Sequence, residues 1–307
     1  MPFFNIITES DESTVVSKYE PVKERPGSYQ SEAELERDFI NMLCAQGYEY
    51  LPLHTESDLV LNLRDKLELL NGCHFSDNEW DLFFKNHIAN PNEHIVEKTR
   101  KIQEDFIQVL KRDNGNTKNI LLIDKKNICN NRLQVINQYV IGKKDGANYD
   151  NRYDVTVLVN GLPLVHIELK RRGVPVRKAF NQIDRYQRDS FWAGSGLYEY
   201  VQVFVISNGT NTKYYSNSTR YNAIKEASSG NVKKKKTSNS FEFTCFWADA
   251  DNHVIRDLVD FTKTFFAQHT LLNILAKYCV FTSENMLLLM RPYQITATER
   301  ILNVNGG

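Results

Sequence analysis

The sequence predicts an α/β domain: a central mixed β-sheet flanked by helices, with helical additions. Three observations carry this. Apolar residues recur with a helical period in some segments and alternate in others. Two strand-like runs within RYDVTVLVNGLPLVHIELKRRG (152–173) meet at Asn160-Gly161, a dipeptide suited to a tight hairpin. A nearly continuous apolar run, YVQVFVISNG at 200–209, has the character of a buried central strand.

The elements follow in chain order. SEAELERDFINMLCAQ (31–46) is the first helix, with Ser31 and Glu34 as a capping box and Gly47 as the stop. Residues 56–112 read as mostly helical and polar, with apolar patches such as WDLFF. NILLID (119–124) and RLQVINQYV (132–140) read as strands, followed by the loop GKKDGANYDN (142–151). The hairpin comes next, then a helix over about 176–191 and the buried strand. EASSGNVKKKKTSNS (226–240) is a low-complexity loop whose four lysines, 233–236, read as solvated. Helices return over 254–281, and this mixture around a short sheet defines the class.

A hydrophobic content of 41% supports a real core, while 38 basic and 38 acidic residues leave no net charge to announce a nucleic-acid partner. Five scattered cysteines without CxxC pairs argue against a zinc site or a disulfide framework and suit a reducing compartment. No apolar run approaches the roughly 20 residues that cross a bilayer, and residues 1–10 lack a signal-peptide pattern. The expected location is cytoplasmic. The sequence ends in NVNGG straight after a helical pattern, as a piece of something longer would. GxxxxGK[ST], GxGxxG and HExxH motifs are absent, so nucleotide hydrolysis and zinc proteolysis have no support within these residues.

The chemistry concentrates in RYDVTVLVNGLPLVHIELKRRG (152–173). Along 164–170, Val165, Ile167 and Leu169 face one way and Leu164, His166, Glu168 and Lys170 the other. Alternation alone permits a hairpin with one solvated face. A two-residue Asn160-Gly161 turn with regular pairing puts Asp154 opposite Ile167, away from Glu168. A three-residue loop or a one-residue bulge brings Asp154 opposite Glu168, with Cβ atoms about 5 Å apart. Pro163 is awkward in a simple ladder, and bulges favour active sites. Two carboxylates so placed suit Mg²⁺, a hard cation. Asp154 and Glu168 would hold it, the Leu169 carbonyl would complete the coordination, and Lys170 would serve the attacking water. His166 is assigned no catalytic role.

On the first helix Leu35, Phe39, Ile40, Met42 and Leu43 form an apolar arc, and Glu32 and Glu36 fall inside it. Glu32 rolls into solvent at the helix end. Glu36, a turn further in, is a candidate further acid at the metal site, because a carboxylate on a buried face needs a partner. Between Lys170 and Arg188 seven basic residues face one acid, Asp184. Arg171, Arg172, Arg177, Lys178, Arg185 and Arg188 are thus candidates for gripping duplex DNA. Gln182 and Tyr186 share one side of that helix, able to touch a phosphate or to brace the catalytic strand.

Asp154, thirteen intervening residues, then Glu168-Leu169-Lys170 resembles the signature of the PD-(D/E)xK nuclease superfamily. With Gln182 and Tyr186 as a QxxxY extension, SEAELERDFINMLCAQGYEYL before it and MRPYQITATERI (290–301) after it, the chain resembles the restriction (R, or HsdR) subunit of type I restriction–modification enzymes, most nearly the IC type. The resemblance implies a restriction-endonuclease-like core with Asp154, Glu168 and Lys170 as the catalytic metal-site residues and Gln182 and Tyr186 in support. It implies an endonuclease domain over 1–260, then a helical lead, 261–307, into an ATPase motor in which Gln294 contacts adenine. It further implies Mg²⁺ as cofactor, ATP for the full-length subunit alone, and modification (M) and specificity (S) subunits as partners. Tyr153 stands where the superfamily usually has proline. Two other readings predict different behaviour: a DNA-binding or assembly module that no longer cuts, and a stand-alone repair or junction-resolving nuclease.

Overall fold

The computed structural model describes residues 16, 18–21, 30–217 and 241–305. The lysines at 233–236 lie outside them. Helix α1 (Glu32–Ala45) starts at Ser31, whose side chain accepts from the Glu34 amide while Glu34 returns to the Ser31 backbone. It buries Leu35, Glu36, Phe39, Ile40 and Leu43. Strand β1 (Glu49–Tyr50) and helices α2 (Glu56–Asn71), α3 (Asp77–Phe83) and α4 (Ile95–Gln103) follow.

The expectation of helix up to residue 112 fails at β2 (Ile107–Lys111), which pairs antiparallel with β3 (Thr117–Leu121). IQVLK alternates, and Leu110 is its one buried side chain, so a strand exposed on one side hides in a polar stretch.

The main sheet continues with β4 (Leu133–Ile141), β5 (Asn151–Val159), β6 (Leu162–Leu169), β7 (Val203–Ser207) and β8 (Thr212–Ser216), ordered β1-β4-β5-β6-β7-β8. Pairs β1/β4 and β6/β7 are parallel and the other three antiparallel, so the sheet is mixed, as the sequence predicts. Helix α5 (Arg177–Asp189) packs on β6 and β7 through a face that buries Phe180, Ile183 and Tyr186.

Beyond β8 the expectation of helices holds for α6 (Leu258–Thr264) and α7 (Gln268–Lys277), while Val254–Ile255 and Cys279–Phe281 are short strands. The expected boundary between 260 and 261 falls inside α6. Phe261, Phe265 and Phe266 are fully buried, Phe39 of α1 meets Phe266 edge-on at 5.4 Å, and the Tyr48 hydroxyl donates to the Phe266 carbonyl at 2.8 Å. This segment therefore belongs to the same core as α1. No helix among the described residues is long and apolar enough to cross a membrane, and all five cysteines are free.

Candidate active site

The hairpin joining β5 to β6 decides where the carboxylates meet. Asn160 and Gly161 have φ of 52° and 84°, the left-handed pair of a two-residue turn, and Val159 pairs with Leu162. Gly161 has a second reason to lack a side chain: a Cβ there would lie 2.6 Å from the Leu63 Cα of α2. The register then shifts. Leu158 pairs with Pro163 but Val157 pairs with Val165, so Leu164 is the extra residue of a bulge. Beyond it Val155 faces Ile167, and continuing that register puts Asp154 opposite Glu168. The turn is regular and the bulge supplies the shift. The solvated-face reading fails, because β6 is buried along its whole length.

A second irregularity lies across β5. Gln138 of β4, opposite Asp154 in register, has φ of 53°, which costs a non-glycine residue roughly 1–2 kcal/mol. The strand face changes here. Tyr153 packs against Tyr186 and Tyr198, the cluster that His166 also reaches, while His166 pairs with Thr156, three positions beyond Tyr153. A flat strand would put Tyr153 and Thr156 on opposite sides.

Three oxygens converge on the Lys170 ammonium. Nζ lies 2.9 Å from Glu168 Oε1, 2.8 Å from the Leu169 carbonyl and 3.9 Å from Asp154 Oδ2. Asp154 Oδ2 also accepts the Leu169 N–H at 2.9 Å. Glu168 is fully buried, and its Oε2 has no hydrogen-bond partner. Burial raises both carboxyl groups, to about 7; the Glu168 charge adds to the rise at Asp154, and Lys170 opposes it at both. At Lys170 burial acts to lower the pKa, but the Glu168 and Asp154 charges outweigh it and hold the group above its ordinary value. The amine is thus a cation, sitting where the three oxygens meet. Hard oxygen donors and two carboxyls reluctant to ionise without a cation fit a divalent ion such as Mg²⁺. The fit relies on a backbone carbonyl: among the described residues no three His, Cys, Asp or Glu side chains cluster to hold a metal by themselves.

Glu36 comes from α1 to the same cleft, about 640 Å³ in volume, which Asp154 and Leu169 also line. Its Oε1 accepts from the Asn137 amide at 2.6 Å and its Oε2 from Gln138. Burial is the largest influence and raises its pKa; Asn137 opposes the rise and the nearby Asp154 charge adds to it. Glu32 is exposed, as expected, yet lines the cleft and accepts the Arg171 N–H at 3.3 Å.

Of the two roles open to Gln182 and Tyr186, the contacts are those of a brace. Gln182 donates to the Tyr186 hydroxyl, which donates to the Arg152 carbonyl at 2.8 Å, two residues before Asp154. The basic residues divide. Arg171, Arg177, Lys178, Arg185 and Arg188 are exposed. Arg172 is partly buried, 3.1 Å from the Thr210 hydroxyl and 3.6 Å from Asp257, so much of its charge is engaged inside the protein. Arg188 lies 3.9 Å from Asp184. Gln294 is on the last helix, α8 (Pro292–Asn305), outside the cleft, with its side-chain oxygen accepting the Arg291 N–H at 2.8 Å. Sequence reasoning missed Asn137, Gln138 and Arg152. The one signal was Asn-Gln interrupting the apolar strand VINQYV.

A mixed sheet flanked by helices, carrying two carboxylates and a lysine on adjacent strands, defines an α/β domain of nuclease-like fold. Residues 29–223 match the family described as "Type I restriction enzyme R protein N terminus", and the chain belongs to that family. It is similar to the EcoprrI type I restriction enzyme endonuclease subunit of Escherichia coli, 48% identical over 96% of this chain and 89% of that protein. It also resembles the SsaAORF53P endonuclease subunit of Staphylococcus saprophyticus (34% identical) and the SauMSSORF170P subunit of Staphylococcus aureus (33%). In both, 90% of this chain is covered, and it spans only 27% of the relative's length.

Proposed function

We propose that this chain is the Mg²⁺-dependent endonuclease domain of a type I restriction enzyme R subunit, hydrolysing phosphodiester bonds of duplex DNA. The observation that carries the reading is the convergence of Glu168 Oε1, the Leu169 carbonyl and Asp154 Oδ2 on the Lys170 ammonium. Those three groups would hold the metal. When bound, it would supply charge against the phosphoryl oxygens and make a water nucleophilic near neutral pH.

The protein's own residues do the rest. Asp154 ties β5 to the Leu169 amide, fixing the spacing of the two carboxylates. With a cation held by those oxygens, the Lys170 ammonium would be free to orient the attacking water and to neutralise charge building on the phosphate. The Gln182–Tyr186 brace holds Arg152, and through it Asp154, in position. Glu36 adds a further acid to the cleft. Arg171, Arg177, Lys178, Arg185 and Arg188 offer exposed positive charge for the DNA backbone. Recognition of a target sequence falls to partner subunits, M and S; the word subunit in the relatives' names supports a multi-subunit complex and no more. ATP-driven translocation, including any contact of Gln294 with adenine, belongs to the longer R subunit.

In the assembled enzyme Glu168→Ala and Lys170→Ala are expected to abolish cleavage while leaving subunit assembly intact. Wild-type cleavage by Glu168→Ala would overturn the proposal. A domain that binds DNA without cutting predicts no cleavage by the wild-type assembly and no loss of Mg²⁺ binding on Asp154→Ala.

A further inference from the structure

We propose that His166 is a positioning residue for Glu168: its imidazole, as the Nε2–H tautomer, donates to Glu168 Oε2 from beneath and keeps Oε1 turned toward Lys170 and the cation position. This rests on the metal-site reading above and deepens it.

Both side chains are fully buried, and His166 Nε2 lies 3.7 Å from Glu168 Oε2. Neither atom has any other hydrogen-bond partner. Two unsatisfied buried polar atoms facing each other are rare in a well-packed interior. A closure of well under 1 Å brings them to the ordinary N–H···O distance. The two oxygens of Glu168 then have separate tasks, since Oε1 already accepts from Lys170 at 2.9 Å.

The other side of the ring accommodates this tautomer. The Tyr198 hydroxyl lies 3.3 Å from Thr156 Oγ1, which lies 3.3 Å from His166 Nδ1. If Tyr198 donates to Thr156 and Thr156 to Nδ1, the ring's own proton resides on Nε2, aimed at Glu168. The competing tautomer protonates Nδ1 and leaves Nε2 without a proton to donate. Ligand carboxylates oriented by a buried donor behind them bind metal more tightly than free ones. A purely structural histidine would fill space between Tyr153, Phe191 and Phe204, a task that phenylalanine performs as well.

The test uses the whole chain and its His166→Phe and His166→Gln variants. Phenylalanine keeps the ring and loses the N–H; glutamine restores a donor. Calorimetry with MgCl₂ is expected to give binding about 10–100-fold weaker for His166→Phe, with much of the loss recovered in His166→Gln. Imidazole ¹⁵N shifts of the wild-type chain are expected to read Nε2 as protonated and Nδ1 as unprotonated. Unchanged Mg²⁺ affinity in His166→Phe, or an unprotonated Nε2 in the wild type, would overturn the proposal. The ¹⁵N measurement stands even if His166→Phe does not fold. A wild-type chain with a protonated Nε2 that binds no Mg²⁺ would sink the metal-site reading and this one with it, whereas Mg²⁺ binding with an unprotonated Nε2 would sink this one alone.

Discussion

Replacing Asp154 by asparagine should stabilise the metal-free chain at alkaline pH. Asp154 is 18% exposed, and burial with the Glu168 charge raises its carboxyl from an ordinary value near 3.8 to about 7. A rise of about three pH units corresponds to a ceiling of about 4 kcal/mol for holding the ionised form at pH 8. The folded state binds this proton more tightly than the unfolded state. Stability is therefore fully present below the unfolded value, near 4, and is lost as pH rises toward 7. Since Asp154 and Glu168 share the effect and Lys170 offsets part of it, the net gain for Asp154→Asn at pH 8 should be on the order of 1–3 kcal/mol. The gap should shrink by more than half at pH 5. Asparagine can still accept the Leu169 N–H, so the fold is kept. Urea unfolding in EDTA, followed by tryptophan fluorescence at both pH values, reads the difference. Adding Mg²⁺ should favour wild type by about 2.7 kcal/mol at a hundred times its Kd, which cancels most or all of the variant's gain. A variant less stable than wild type at pH 8 without metal, or a gap independent of pH, would refute the electrostatic reasoning.

Other expectations follow from the supporting contacts. Tyr186→Phe removes the hydroxyl between Gln182 and the Arg152 carbonyl. It should cost about 1–2 kcal/mol in thermal unfolding and slow cleavage about tenfold, and wild-type activity would show that the brace does not matter. At Gln138, glycine relieves the left-handed backbone that alanine keeps, so Gln138→Gly should be about 1 kcal/mol more stable than Gln138→Ala in chemical denaturation; equal stability would mean that no strain is stored there. Arg185→Ala and Arg188→Ala should each lower the salt dependence of duplex binding by about one phosphate contact in anisotropy titrations. Arg172→Ala should lower the melting temperature instead, since Arg172 faces Asp257.

How the sequence predicts this arrangement, and where it stops, is clearest in the hairpin. Alternation in VTVLV and LPLVHIEL, with Asn-Gly between them, marks two strands and a turn. The bulge at Leu164 needed one further fact, that Pro163 lacks an N–H, and the geometric demand that the two acids meet. α1 was legible because capping and period are local properties. Long-range polar pairings were not. Nothing near Arg172 announces Asp257, and nothing near Glu36 announces Asn137 and Gln138, about a hundred residues away. β2 was missed because it lies in a polar stretch and most of its apolar positions are exposed. His166 looked idle because a lone histidine gains meaning only from the atoms around it.

The central claim is that Asp154, Glu168 and the Leu169 carbonyl share one divalent ion. Crystals of this chain grown with Mn²⁺ test it directly by anomalous scattering. One peak within about 2.0–2.4 Å of oxygens from all three groups, with the Lys170 ammonium displaced, is the predicted result. Mn²⁺ bound only elsewhere, with Lys170 still held by Glu168 and Leu169, would contradict it.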